Sequence, residues 1–141
     1  MGDYKTILVG TDFHNDGLPV VRKAVAIAKL YSAKLHIVSV VPNVPFYMAS
    51  GLTDVSAVEE TLEMGGQERL EELQKELDVK AECHLVHGSA KIEISKLAKE
   101  IGADLIVIGS HGRNGVQRVL GSTSSGVLHR AKCDVMVVRT V

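Results

Sequence analysis

The stretch Gly109-Ser-His111-Gly112-Arg113-Asn-Gly115-Val-Gln-Arg118-Val-Leu-Gly121-Ser122-Thr123-Ser124 carries residue types suited to holding phosphate. Glycines let main-chain N–H groups come close to a ligand and turn where other residues cannot. A helix opening at Ser122 adds N–H donors without intrahelical partners and the positive end of a dipole. The hydroxyls of Ser122, Thr123 and Ser124 add donors of their own. His111 could touch a phosphate, although its place in the loop suits a backbone role better. Arg113 and Arg118 could pair with phosphate or simply be solvated.

Asp12 is the second chemical feature, because it is an acid directly after the apolar run Ile7-Leu-Val-Gly-Thr11. A carboxylate there can accept from a ribose hydroxyl or a base amine, or it can cap a loop. The glycine loop tips the balance toward ligand contact. Several enzyme signatures are missing. The chain has no Gly-x-x-x-x-Gly-Lys-Ser/Thr, no Gly-x-Gly-x-x-Gly after the first strand and no Gly-x-Ser-x-Gly elbow. No base or nucleophile accompanies the cradle, so no catalytic residue is assigned and the pattern reads as a binder. His14, His36, His84, His87 and His129 show no metal-ligand spacing and read as strand or surface histidines, so the metal ligands stay unassigned. Cys83 and Cys133 are isolated in apolar segments and read as buried free thiols.

The elements that must position these groups alternate along the chain. Lys5–Thr11 reads as a strand buried on both faces. Pro19 suits a first helical turn, with Asn15 or Asp16 as cap, and Val21, Ala24, Val25, Ala28 and Tyr31 carry that helix to about Ser32. Leu35–Val41 is the second strand, stopped by Pro42, and residues 42–52 read as a loop. A charged amphipathic helix spans about 53–77, with Val55, Val58, Leu62, Leu70, Leu73 and Leu77 on its buried side. Gly65-Gly66 would bend or break it. Ala81–His87 is the third strand. Ser89 caps a helix with Ile94, Leu97, Ala98 and Ile101 on one face, ended by Gly102. Strand four runs over Ala103–Ile108, a helix over Ser122–Arg130 and the last strand over Asp134–Arg139. Strand–helix alternation predicts an α/β fold, an open parallel five-stranded sheet with helices on both faces. In such sheets ligands bind at the C-terminal strand ends where strand order reverses, which would bring Asp12 to the glycine loop.

Composition agrees with one globular domain over 1–141. The chain has 141 residues, 45% hydrophobic and 23% charged, and a net charge of −1. That balance leaves no electrostatic footprint for nucleic acid. No apolar run is long enough for a membrane helix, and no leader pattern precedes the first strand, so a cytoplasmic home is expected.

With these residues in view, the chain resembles the universal stress protein (UspA) family, of the ATP-binding kind. The resemblance runs over nearly the whole length. It rests on Ile7-Leu-Val-Gly-Thr-Asp12, the Ala33–Pro42 strand ending Val-Val-Pro, Ala103-Asp-Leu-Ile-Val-Ile-Gly-Ser-His-Gly-Arg113, Gly121-Ser122 and Cys133-Asp-Val-Met-Val-Val-Arg139. The family's phosphate loop places nine residues between its second and third glycines, whereas eight separate Gly112 from Gly121 here. The resemblance implies a Rossmann-like fold of the adenine nucleotide alpha hydrolase-like kind, without the Ser-Gly-Gly pyrophosphatase loop of related enzymes. It implies an adenine nucleotide (ATP, ADP or AMP), with Mg²⁺ or Mn²⁺ as a companion of the phosphates. Gly10, Thr11 and Asp12 would meet the adenine or ribose and Val40 the base. Ile108 and Gly109 would lie under the ribose. Gly112, Gly121, Ser122, Thr123 and Ser124 would hold phosphates, beside His111 and Arg113. It further implies a homodimer through the last strand, Val135, Met136, Val137 and Val138. The expected role is an ATP-binding regulator of the stress response. The alternatives are a dimerisation module that binds no nucleotide, favoured by the short loop, and a slow ATP hydrolase.

Overall fold

The computed structural model describes residues 3–11, 17–43, 55–110 and 121–139. The elements alternate: β1 (Thr6–Thr11), α1 (Gly17–Tyr31), β2 (Lys34–Val41), α2 (Val55–Glu76), β3 (Ala81–His87), α3 (Ala90–Ile101), β4 (Leu105–Gly109), α4 (Ser122–Arg130) and β5 (Asp134–Val138). The strands form one parallel sheet in the order β3-β2-β1-β4-β5. The expected α/β architecture is what the chain adopts.

Alternation along each strand divides the core into two layers. Ile7, Val9, Leu35, Ile37, Leu105 and Val107 face α1 and α2 and pack with Val21, Ala24, Leu70 and Leu73. Leu8, Val38, Val40, Ile106 and Ile108 face the opposite way and pack with Ile94, Leu97, Ala98 and Val127 of α3 and α4. The central strands are apolar on both faces because helices cover both, as parallel sheets require.

The turns entering the strands are short and saturated with hydrogen bonds. After α3, Gly102 takes φ 68° and ψ 39°, the left-handed conformation that glycine adopts without a Cβ penalty. Its N–H reaches Lys99 O, and Ala103 N–H reaches Ala98 O at 2.9 Å, so the last carbonyls are satisfied. That turn consumes Ala103, so β4 begins at Leu105 and not at Ala103 as the apolar run suggests. Asp104 then clamps the neighbouring strand. Its Oδ2 accepts from the Lys5 and Thr6 N–H groups at 2.8 and 2.9 Å. The end of α1 repeats the same turn, with Ala33 N–H on Ala28 O and Ser32 N–H on Lys29 O, but Ser32 holds the left-handed position at φ 55°.

Four local expectations need correction. Helix α2 runs unbroken through Gly65-Gly66. Gly66 is buried in the same stripe as half-buried Val58 and Leu62 and buried Leu70 and Leu73, so packing on β2 and β3 outweighs its poor propensity. Ser89 stands at the N-cap of α3 but its hydroxyl makes no capping bond. Its carbonyl accepts from Ile92 and Glu93 instead. Cys83 is exposed and Cys133 only half-buried, both as free thiols. They sit on or beside the two edge strands, where the helical layers cover the sheet incompletely. The capping candidates Asn15 and Asp16, the 44–52 part of the loop after Pro42 and the side chain of Val55 lie outside the described residues.

Candidate functional site

Strands β1 and β4 are neighbours, paired through Ile7–Val9 and Leu105–Val107. The chain leaves β1 for α1 on one face and leaves β4 for α4 on the other. Where connections diverge in this way, the carboxyl ends of the two strands open a crevice with no helix across it. The expected convergence of the β1 and β4 ends is therefore present. Asp12, His111, Gly112 and Arg113 lie outside the described residues, as do Gly115, Arg118 and His14.

Gly10 and Thr11 end β1, opposite Val38 and Ser39 of β2. Gly10 is glycine for a packing reason: a Cβ there would stand 2.9 Å from Ile94 Cδ1 and 3.6 Å from Ile108 Cγ2. The close approach of α3 to the end of β1 depends on that missing atom. Thr11 is buried and its hydroxyl donates to Val38 O at 3.2 Å. What Thr11 offers to the crevice is main chain. The same holds for Val40 and Ile108, whose side chains are buried in the layer beneath α3 and α4. These two residues were expected to meet a base and a ribose. With their side chains in the core, any such contact falls to their main chain.

Across the crevice, the entry to α4 is anchored to the sheet. Gly121 N–H donates to Ser110 O at 3.1 Å, and Ser110 N–H donates to Val138 O at 2.8 Å. The helix start is thus tied to β4 and, through it, to β5. Gly121 is the N-cap at φ −63° and ψ 161°, a conformation open to any residue, so no backbone constraint demands glycine. Glycine is, however, one of the residues favoured at an N-cap. Ser124 departs from expectation. Its hydroxyl is buried and donates back to Gly121 O at 3.2 Å, so it cannot also serve as a free donor. Ser122 is exposed and Thr123 half-buried. The first turn therefore offers the hydroxyls of Ser122 and Thr123, plus backbone N–H groups that have no intrahelical acceptor. Ser125 N–H closes the first helical bond on Gly121 O at 3.0 Å. Gly126 lets α4 pack onto α3, since a Cβ would fall 2.6 Å from Lys91 Cδ.

The last strand occupies a sheet edge, as expected. Val135, Met136, Val137 and Val138 are each half-buried, with Val135 and Val137 against the α3–α4 layer and Met136 and Val138 against the α1–α2 layer. One ladder side of β5 pairs with β4.

His36 and His84 are strand histidines, as read from the sequence, and the fold adds a contact between them. His36 on β2 and His84 on β3, dismissed for lack of ligand spacing, meet across the two strands with Nδ1 and Nε2 2.9 Å apart. Glu82 Oε2 lies 3.5 Å from the same His36 nitrogen. Spacing along the chain cannot reveal this, because strand register creates it. The alternation Glu82-x-His84 on one face of a strand was the available signal.

Comparison with known proteins agrees with this architecture. The model of the universal stress protein family matches residues 3–139. Universal stress protein A homolog 2 of Coxiella burnetii is 39% identical over 142 residues, covering 99% of this chain and 97% of that protein. Among solved structures, the universal stress protein UspA from Lactobacillus plantarum superimposes with a TM-score of 0.83 at 26% identity, over 99% of this chain and 100% of the other. A universal stress protein solved in complex with cAMP gives 0.66 at 29% identity, again over 99% and 100%. The match spans the sheet, both helical layers and the entry to α4, and on that ground the chain belongs to the universal stress protein family.

Proposed function

We propose that this protein is an adenine-nucleotide-binding regulator of the stress response that works as a homodimer in the cytoplasm, with residues 1–141 forming one domain. The observation that carries the reading is that β1 and β4 are neighbours whose chains leave for opposite faces of the sheet, with α4 opening just beyond the end of β4. Asp12 and the main chain of Gly10 and Thr11 take the adenine or ribose, and the main chain of Val40 borders the base. Ile108 and Gly109 support the ribose. Gly112, Gly121, Ser122, Thr123 and the Ser124 N–H take the phosphates, with His111 and Arg113 beside them. A relative solved with cAMP supports an adenine nucleotide as the class of ligand. Mg²⁺ or Mn²⁺ accompanies the phosphates, and no residue of this chain is assigned to it. Among the described residues the site supplies donors and a dipole but no base or nucleophile, so nucleotide occupancy acts by changing a partner surface or assembly state, not by turnover.

A thermal shift tests this directly. ATP at 100 times its dissociation constant should add roughly 2.7 kcal/mol, which moves the melting temperature by several degrees. No shift with ATP, ADP, AMP or cAMP would leave the second reading, a dimerisation module without nucleotide, which the loop one residue short of the family pattern favours.

The dimer rests on the apolar edge strand β5. Exposed edges invite pairing, and Arg139 is weak protection. Val137→Pro removes a backbone donor and should shift the sedimenting species toward monomer in a folded protein. A dimer as tight as the parent's would put the contact elsewhere.

A further inference from the structure

On the face of the sheet that carries α3 and α4, at the end away from the crevice, three metal-ligating side chains converge from two strands. The ladder pairs His36 with Glu82 and Val38 with His84, so all three side chains project to the same face. His36 Nδ1, His84 Nε2 and Glu82 Oε2 all lie within 4.8 Å of one another. The two imidazole rings are stacked, with centroids 5.2 Å apart and planes 18° apart. Two imidazoles and a carboxylate are the donor set of three-ligand zinc centres.

The spacing also suits one ion. Four ligands at 2.0–2.2 Å in a tetrahedron stand about 3.3–3.6 Å from one another. The His36–Glu82 separation, 3.5 Å, falls in that range, and the His36–His84 separation, 2.9 Å, lies just short of it. A hydrogen bond between the rings accounts for the shorter distance in the metal-free protein, and Glu82 Oε2 stands beside the same His36 nitrogen. The strands hold the three groups together by register, so binding requires small ring rotations and no refolding. His36 is only 5% exposed, so its ring is held in place by the surrounding packing. Lys34 Nζ competes for Glu82 at 3.4 Å, yet both partners are more than half exposed, so that pair is easily given up.

We propose that His36, Glu82 and His84 form a site for a divalent transition-metal ion of the zinc class. Glu82 is exposed and His84 half-buried, so the fourth position faces solvent and is filled by water. The ion would bridge β2 to the edge strand β3. The site is independent of the nucleotide reading.

Titration of the full chain with ZnCl₂ in a non-chelating buffer, followed calorimetrically, tests the proposal. One equivalent should bind tightly. Changing a group that only supports a ligand costs about 10–100-fold in affinity, so His84→Ala should cost at least about tenfold and Glu82→Gln a measurable loss in the same direction. Both changes lie on the partly exposed edge strand, and circular dichroism checks that each variant folds. His87→Ala, whose ring lies 3.7 Å from Glu63 Oε2, should bind as the parent does. Co²⁺ in place of Zn²⁺ should give the strong visible bands of four-coordination in the parent and lose them in His84→Ala. Either no zinc uptake by the parent, or affinity in His84→Ala within about tenfold of the parent's, overturns the proposal.

Discussion

The two rims of the sheet are built on opposite plans. At the rim where strands begin, connections are tight: two residues join α1 to β2 and three join α3 to β4. Both turns close with paired hydrogen bonds onto the preceding helix, and Asp104 ties the start of β4 to β1. The His36–Glu82–His84 cluster belongs to this half of the sheet as well. At the rim where strands end, the connections after β1, β2 and β4 are longer, and the N–H groups that open α4 have no intrahelical acceptor. One rim spends its polar groups on itself. The other holds the residues proposed to take a nucleotide. On that proposal stability and binding are separated across the sheet, so each can be perturbed alone.

The strongest test of that separation is Gly121→Val. The backbone at φ −63° accepts valine, and the poorer N-cap should cost only about 1 kcal/mol, so the variant should stay folded. The added branches fill the space before the α4 N–H groups, and ATP affinity should fall at least about 100-fold, or about 2.7 kcal/mol. Retained affinity by calorimetry would take the entry to α4 out of the site.

Asp104→Ala should do the reverse. It removes an acceptor for two backbone N–H groups, and urea denaturation should show a loss of about 2–3 kcal/mol. Nucleotide affinity of the folded variant should not change. A parallel loss of affinity would mean that the two rims are coupled.

Asp12→Ala sharpens the ligand side. A lost charge-assisted hydrogen bond predicts about 1–3 kcal/mol weaker ATP binding and a narrower preference for ATP over GTP. Equal titration curves for parent and variant with both nucleotides would reduce Asp12 to a loop cap.

The smallest effect is expected at Ser32. Its left-handed conformation costs about 1–2 kcal/mol, of which glycine gives back roughly half through unfolded-state entropy. Ser32→Gly should therefore raise stability by about 0.5–1 kcal/mol and copy the Gly102 turn. A destabilised variant would show that the Ser32 side chain contributes more than the strain it carries.

Much of this was legible in the chain. Apolar runs of strand length alternate with helical periodicity, and that alone predicts the parallel sheet. The candidate phosphate-binding stretch stands out in the sequence because it is contiguous: Gly109 to Ser124 runs from the end of β4 to the start of α4. Errors arose where tertiary contacts overrode local preference. Gly65-Gly66 reads as a break, but Gly66 packs in a buried stripe. Ser124 reads as a phosphate donor, but its hydroxyl turns back to Gly121 O.

By itself, then, the sequence determined the class of fold, the order of elements and the position of the glycine-rich loop, because period, capping residues and local motifs act over a few residues. Strand order and register were decided only in three dimensions. They put β1 beside β4, left β5 at an edge and set His36 against Glu82 and His84. The physical reason is that side chains on different strands meet only when the ladder has chosen its register, and that choice is made by the burial of both sheet faces at once.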